Sequence, residues 1–151
     1  MSYAYPAPLP LPDPAEVPEA YEGVALKRAL AWVVDMLVIF LISAVTIPLT
    51  FFISAFFLPA VMLVVSFIYR WFTVSGTGST WGMRLFGIEF RNLDGSRFSS
   101  QDALLHVLGY TISLAISPLQ LVSVILMCFT PYGQGLTDLA LNTTAVNTTR
   151  V

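Results

Sequence analysis

The stretch KRALAWVVDMLVIFLISAV begins at Lys27 and sets one carboxylate, Asp35, among Val, Met, Leu and Ile. A charged Asp at the centre of a membrane span costs roughly 2.5–3.5 kcal/mol on insertion scales. Asp35 stands about 9–12 Å along a helix from its polar start, so its cost is smaller but still real. Such a group must face protein or water, or carry a proton. By default it marks a functional position on an ion pathway or proton relay. The competing reading is a structural ion pair that fixes helix packing. Arg28 precedes Asp35 by seven residues, which returns to nearly the same helix face about 10.5 Å away. Side chains lean toward the helix N-terminus. Arg28 therefore points away from Asp35, and a salt bridge within the helix is disfavoured. Trp32 lies between them on that face, placed to pack against the guanidinium. Each charge then needs a partner from another segment. Arg84, His106, Gln120 and Asp138 are the candidates, with Asp138 for Arg28 and Arg84 or His106 for Asp35.

His106 opens a third apolar block, where a titratable imidazole near a membrane carboxylate suits a proton relay. Its plainer role is an interfacial polar residue bonded to backbone or water. Asp138, in GLTDLAL, reads as a helix N-cap or an ion-pair member. The segment GTGSTWG, residues 76–82, resembles a phosphate loop, but it lacks both GxxxxGK[ST] and G-x-G-x-x-G. No Ser-His-Asp order, metal-ligand set or pair of catalytic carboxylates can be placed. Cys128 is a lone cysteine in an apolar run, unable to form an internal disulfide or a metal site by itself. No enzyme activity, cofactor or metal is expected.

The elements that must position these residues follow from composition. The 151 residues are 56% hydrophobic and 11% charged, against about 25% charged in an ordinary soluble domain. Mean hydropathy is +0.77. No Asp, Glu, Lys or Arg lies between Asp35 and Arg70, nor between Asp102 and Asp138. Both gaps exceed the roughly 18 apolar residues that suggest a membrane span. The class is an all-α integral membrane protein in contact with the bilayer, and no basic tract supports nucleic-acid binding. Apolar blocks run over about 25–49, 51–73 and 103–130. The first two form a transmembrane hairpin closed near Pro48–Ser54, with Tyr69, Arg70 and Trp71 as interfacial anchors and Pro59 as a candidate kink. The third, about 42 Å long as one helix, is broken at ISPLQ, residues 116–120. It is either one kinked span or two short re-entrant halves, and the re-entrant form is preferred.

Between the second and third blocks, STWGMRLFG carries apolar residues near helical spacing and predicts a short surface helix. GIEFRNLDGSRF alternates Ile88 and Phe90 against Glu89 and Arg91, with a turn at Asp94-Gly95, and predicts a small cytoplasmic β-hairpin. TTAVNTT in the tail could add a third strand, which requires the tail and this connection to share one side. Ser99 or Ser100 is the expected N-cap of block three. Residues 1–23 hold six of the ten prolines and four of the nine acidic residues, predicting an extended, disordered tether; the membrane domain is then 24–148. Lys27, Arg28, Arg70, Arg84, Arg91 and Arg97 fall on the side shared by the N-terminus and the polar connection, and none falls in the first hairpin turn. That asymmetry puts the N-terminus in the cytoplasm and the chain, as a multipass protein, in the inner or plasma membrane. Arg150 joins the same side if block three is re-entrant. The sequons at Asn142 and Asn147 are then inert.

KRALAWVVDMLV, SGTGSTWGMRLFGIEFRNLDGSRFSSQDALL and QGLTDLALNTTAV together resemble the RDD family of membrane proteins, from about Tyr21 to Val146. The resemblance implies that Arg28, Asp35 and Asp138 are the family's named arginine and two aspartates, and that Gly82, Arg84, Gly87 and Asp94-Gly95 match its middle section. Met83, His106 and Thr137 depart from the family's usual Lys, Arg and His. The resemblance implies transport of an unidentified ligand, with ions as a candidate, rather than a defined reaction. One hairpin and a broken block cannot enclose a pathway alone, so a homo-oligomer or a larger membrane complex is expected. The other function class is a non-transporting assembly or scaffold subunit, in which the charges pin helices together.

Overall fold

The computed structural model describes residues 10–148. Arg150 lies outside them, as does the first part of the proline-rich tail. Helix α1 spans Val24–Leu49, starting after Gly23, whose φ of 68° is a left-handed turn that glycine takes at no steric cost. Its buried stripe is Val24, Ala31, Asp35, Ile39 and Ser43, a near-regular i, i+4 row of mostly small or polar residues. Leu26, Val33, Leu37, Leu41 and Val45 face outward and are exposed. Helix α3, Leu58–Thr77, repeats the pattern, burying Ser66, Tyr69, Arg70, Thr73 and Val74 while Val64, Ile68 and Phe72 face out. This inverts the pattern of a soluble helix. It suits a solvent as apolar as leucine, where small and polar residues form the contacts between helices.

The connection between these helices contains α2, Ile53–Phe56. Phe51 and Phe52 both take positive φ there, 50° and 67°. Thr46 and Thr50 stitch the turn: Thr46 Oγ1 donates to Ser54 Oγ at 3.1 Å, and Ser54 N donates to Thr50 Oγ1 at 3.1 Å. Pro59 does not kink a longer helix. It occupies the first turn of α3, where a missing N–H breaks no bond. Helix α4, Trp81–Leu85, is the expected short helix, capped by Thr80, whose side chain accepts from Met83 N.

Strand β1, Ile88–Asn92, does not form the predicted hairpin. It pairs antiparallel with β2, Thr143–Asn147, with Phe90 opposite Ala145, and retains a single bridge from Arg91 to Arg97 across the Asp94-Gly95 turn. The tail strand therefore replaces the local partner. β2 is buried along its whole length, and long-range burial outweighs the short loop closure that favours a hairpin. The alternation holds: Ile88 and Phe90 are buried, and Glu89 and Arg91 less so. Behind the sheet, Val24, Ala31, Val74, Met83 and Phe98 complete an apolar core at one end of the helices.

Helices α5, Ser100–Ala115, and α6, Ser117–Phe129, meet at Ile116 with a bend of 118°. Ser99 caps α5 with a reciprocal pair, its side chain accepting from Asp102 N while Asp102 accepts from Ser99 N. Pro118 sits in the first turn of α6. Helix α7, Leu136–Leu141, precedes β2. The described tail residues are not a free tether: Leu11 N donates to Leu93 O, and a 3-10 turn at Pro18–Ala20 is held by Asn147 Nδ2 donating to Glu19 O and Glu22 O. Those bonds occupy the Asn147 amide that a glycan would need. By length and composition, α1 and α3 can each cross a membrane, and the α5–α6 pair is a third candidate if counted as one span.

Candidate functional site

Asp35 is 1% exposed and accepts four hydrogen bonds. Tyr69 Oη donates to Oδ1 at 2.7 Å and Gly82 N donates to Oδ1 at 2.9 Å. Thr80 Oγ1 donates to Oδ2 at 2.7 Å, and Arg70 Nη1 to Oδ2 at 3.3 Å. Four donors fill the lone-pair sites of a carboxylate. Neither partner anticipated for Asp35 meets it. Arg84 is exposed and donates to Thr77 Oγ1, having turned to the outer side of α4. His106 belongs to the second carboxylate. Tyr69 and Arg70 are not interfacial anchors either, since both are buried against Asp35. The GTGSTWG segment cradles an anion after all, but the anion is the chain's own Asp35. Gly82 is required there: an added Cβ would overlap the Ala31 carbonyl oxygen and stand 2.9 Å from Asp35 Oδ1.

Asp138 is likewise 1% exposed and accepts four bonds. Arg28 Nη1 lies 2.6 Å from Oδ2, the expected pair. Gly135 N donates to Oδ2 at 2.9 Å, a helix N-cap amide answered by the carboxylate three residues on. His106 Nε2 lies 2.6 Å from Oδ1, and Thr143 Oγ1 donates to it at 3.3 Å. Burial by itself would raise the Asp138 carboxyl. The Arg28 charge and the His106 hydrogen bond outweigh it and hold Asp138 well below the usual carboxylate range. His106 also lies against Phe90, ring centroids 4.3 Å apart, and the Arg28 guanidinium sits over the same ring at 5.3 Å. Phe90 thus takes the place expected for Trp32. The Trp32 indole N–H instead donates to Tyr110 Oη at 2.8 Å.

The two carboxylate centres share one cavity of about 770 Å3 between α1, α3, α5 and α6, with Arg28, Asp35, Arg70, His106 and Asp138 all on its wall. That volume is within the range of small-molecule sites. Gln120, the last of the proposed partners, accepts from Ser113 Oγ near the α5–α6 bend and reaches neither aspartate. Among the described residues, no three of His, Cys, Asp and Glu come together to hold a metal.

Arg70 is the member that sequence reasoning missed, and depth would have found it. The midpoint of positions 35 and 70 falls between Phe52 and Ile53, in the turn between the helices. In an antiparallel hairpin, residues equidistant from the turn lie at one level. Asp35 and Arg70 are therefore the acid and base that the first two blocks bring face to face.

No curated protein and no solved structure matches the chain. The RDD family model matches residues 23–142, which takes in Arg28, Asp35, the Thr80–Gly82 cradle and Asp138. The chain belongs to the RDD family.

Proposed function

We propose that this RDD-family chain is a multipass membrane protein that handles an ion or small solute in transport, and that the cavity bearing the two carboxylate centres is where it does so. The observation that carries the reading is the convergence of Arg28, Asp35, Arg70, His106 and Asp138 on the wall of one cavity among apolar helices. Buried ionisable groups are costly in a membrane and are kept where a pathway needs them. In this reading α1 and α3 cross the bilayer. α5 and α6 enter and turn back, because β1 and β2 are hydrogen-bonded and so both ends of that block lie on one side. At about 24 Å and 20 Å, neither helix alone spans roughly 30 Å of hydrocarbon. The Lys and Arg asymmetry supports a cytoplasmic position for that side. No covalent chemistry is assigned, and transport requires further copies or a larger complex.

The test uses proteoliposomes and a panel of labelled ions and small organic anions. Flux above that of empty liposomes is expected, and Ala29→Trp, which narrows the cavity at its α1 wall and leaves the four paired side chains in place, should reduce it strongly. Liposomes no leakier than empty ones for every panel member would refute transport.

A specific observation favours a second reading, in which the chain is an assembly subunit. Each carboxylate is fully paired, as in a static pin. That reading expects Asp35→Asn to weaken folding or complex formation while leaving any flux intact.

A further inference from the structure

The hydrogen-bonding capacity left over at this cavity has a sign. Asp35 and Asp138 each accept four bonds, about what a carboxylate can hold. Arg70 is different. It is 9% exposed, gives Asp35 one long bond of 3.3 Å from Nη1, and keeps Nε and Nη2 buried without a partner among the described residues. Its guanidinium lies under the Tyr110 ring, 4.5 Å from the centroid. A ring face is a weaker partner than an oxygen, and buried N–H groups without an oxygen partner are rare. Arg70 and Tyr110 both line the cavity. What is missing beside Arg70 is an acceptor, and its planar fork fits a phosphate or carboxylate.

The rest of the cavity describes the body of that ligand. Leu26, Ala29 and Val33 of α1 line it with Val124 and Cys128 of α6, and all five are exposed on apolar helices. On the membrane reading above, on which this inference rests, such a mouth opens onto acyl chains. Arg70 is seven residues from the end of α3, about 10 Å below the cytoplasmic side. A lipid head group drawn slightly inward from its leaflet reaches that level.

We infer that the groove between α1 and α6 takes an anionic lipid from the cytoplasmic leaflet, its phosphate accepting from Arg70 and its chain lying along the apolar mouth. Tyr110 forms one wall of the site, its ring 4.5 Å from the Arg70 guanidinium and its hydroxyl held by the Trp32 indole N–H.

The test is native mass spectrometry of the full chain in neutral detergent, titrated with phosphatidylglycerol and, separately, with phosphatidylcholine and inorganic phosphate. One phosphatidylglycerol should bind at least about tenfold more tightly than phosphatidylcholine, and millimolar inorganic phosphate should not displace it. Arg70→Lys keeps a cation opposite Asp35 and loses the fork, so binding should weaken by about tenfold or more. Ala29→Trp blocks the mouth with both ion pairs intact, and decides the matter if Arg70→Lys does not fold. Equal binding of the two lipids, displacement by free phosphate, or wild-type binding in the variant that folds would each overturn the inference. Selective lipid binding without flux of any solute would leave this site standing and remove the transport reading. Flux without lipid selectivity would do the reverse.

Discussion

Replacing Asp35 by Asn tests whether the charge or the shape of this residue organises the helices. The amide keeps one acceptor oxygen and turns its N–H donors toward a pair of groups that already donate, either Tyr69 with Gly82 or Thr80 with Arg70. It also leaves Arg70, already short of partners, as an uncompensated buried cation. Breaking a buried pair from one side costs about 3–5 kcal/mol. At about 1.4 kcal/mol per factor of ten, that is a hundredfold to a few thousandfold in the unfolding equilibrium. Arg70→Gln strands the carboxylate, which retains three other donors, so its cost belongs at the lower end of that range. The double variant should be more stable than the sum of the two losses predicts, by about 1–3 kcal/mol, because neither charge is then left alone. Equilibrium unfolding of the four proteins in mixed micelles measures this cycle. A coupling near zero, or an Asp35→Asn variant as stable as the parent, would refute the claim that this pair joins α1 to α3.

Other perturbations have distinct outcomes. Gly82→Ala should destabilise by about 1–3 kcal/mol, because its Cβ meets the Ala31 carbonyl backbone and not a movable side chain; thermal unfolding in detergent reads this. Arg84→Ala, by contrast, should change stability by no more than about 0.5 kcal/mol in the same assay, since Arg84 is exposed and bonds only Thr77 among the described residues. The Asp138 carboxyl is depressed on folding, so its contribution is complete above the ordinary carboxylate pKa of about 3.9 and is lost as pH falls toward the folded value. The stability gap between wild type and Asp138→Asn should therefore be flat from pH 7 to 5 and narrow below about pH 4; a gap that widens on acidification would contradict it. Cysteines placed at Asp94 and at Thr148 in a Cys128→Ser background should label from the same side of oriented vesicles, and one at Phe51 from the other, because β1 and β2 are paired.

Much of this molecule is written locally. Charge-free runs of 34 and 35 residues exceed the roughly 18 apolar residues of a membrane-span candidate, and they mark where the long apolar helices lie. Arg28 and Asp35 share a helix face, yet the axial rise between them and the N-terminal lean of side chains separate them, and the structure keeps them apart on different partners. A serine cap at Ser99 or Ser100 is legible locally, and the structure selects Ser99 with Asp102 three residues later. Gly82 shows the limit of such reading: the sequence marks a glycine, while the reason for it is a carbonyl 51 residues upstream.

What the sequence could not decide is which distant segments meet. Local turn chemistry at Asp94-Gly95 favours a hairpin, yet β1 pairs with the tail because a fully buried strand gains more than a short loop saves. Arg70 has the composition of an interfacial anchor, and only the antiparallel closure of α1 on α3 turns it inward to Asp35. His106 could have served either carboxylate; the fold of α7 under α5 gave it to Asp138. Side-chain types and helix period fix which residues must be paired, because an unpaired charge among apolar helices is too costly to persist. The partner is chosen by topology, which sets the depth and face at which each charge arrives.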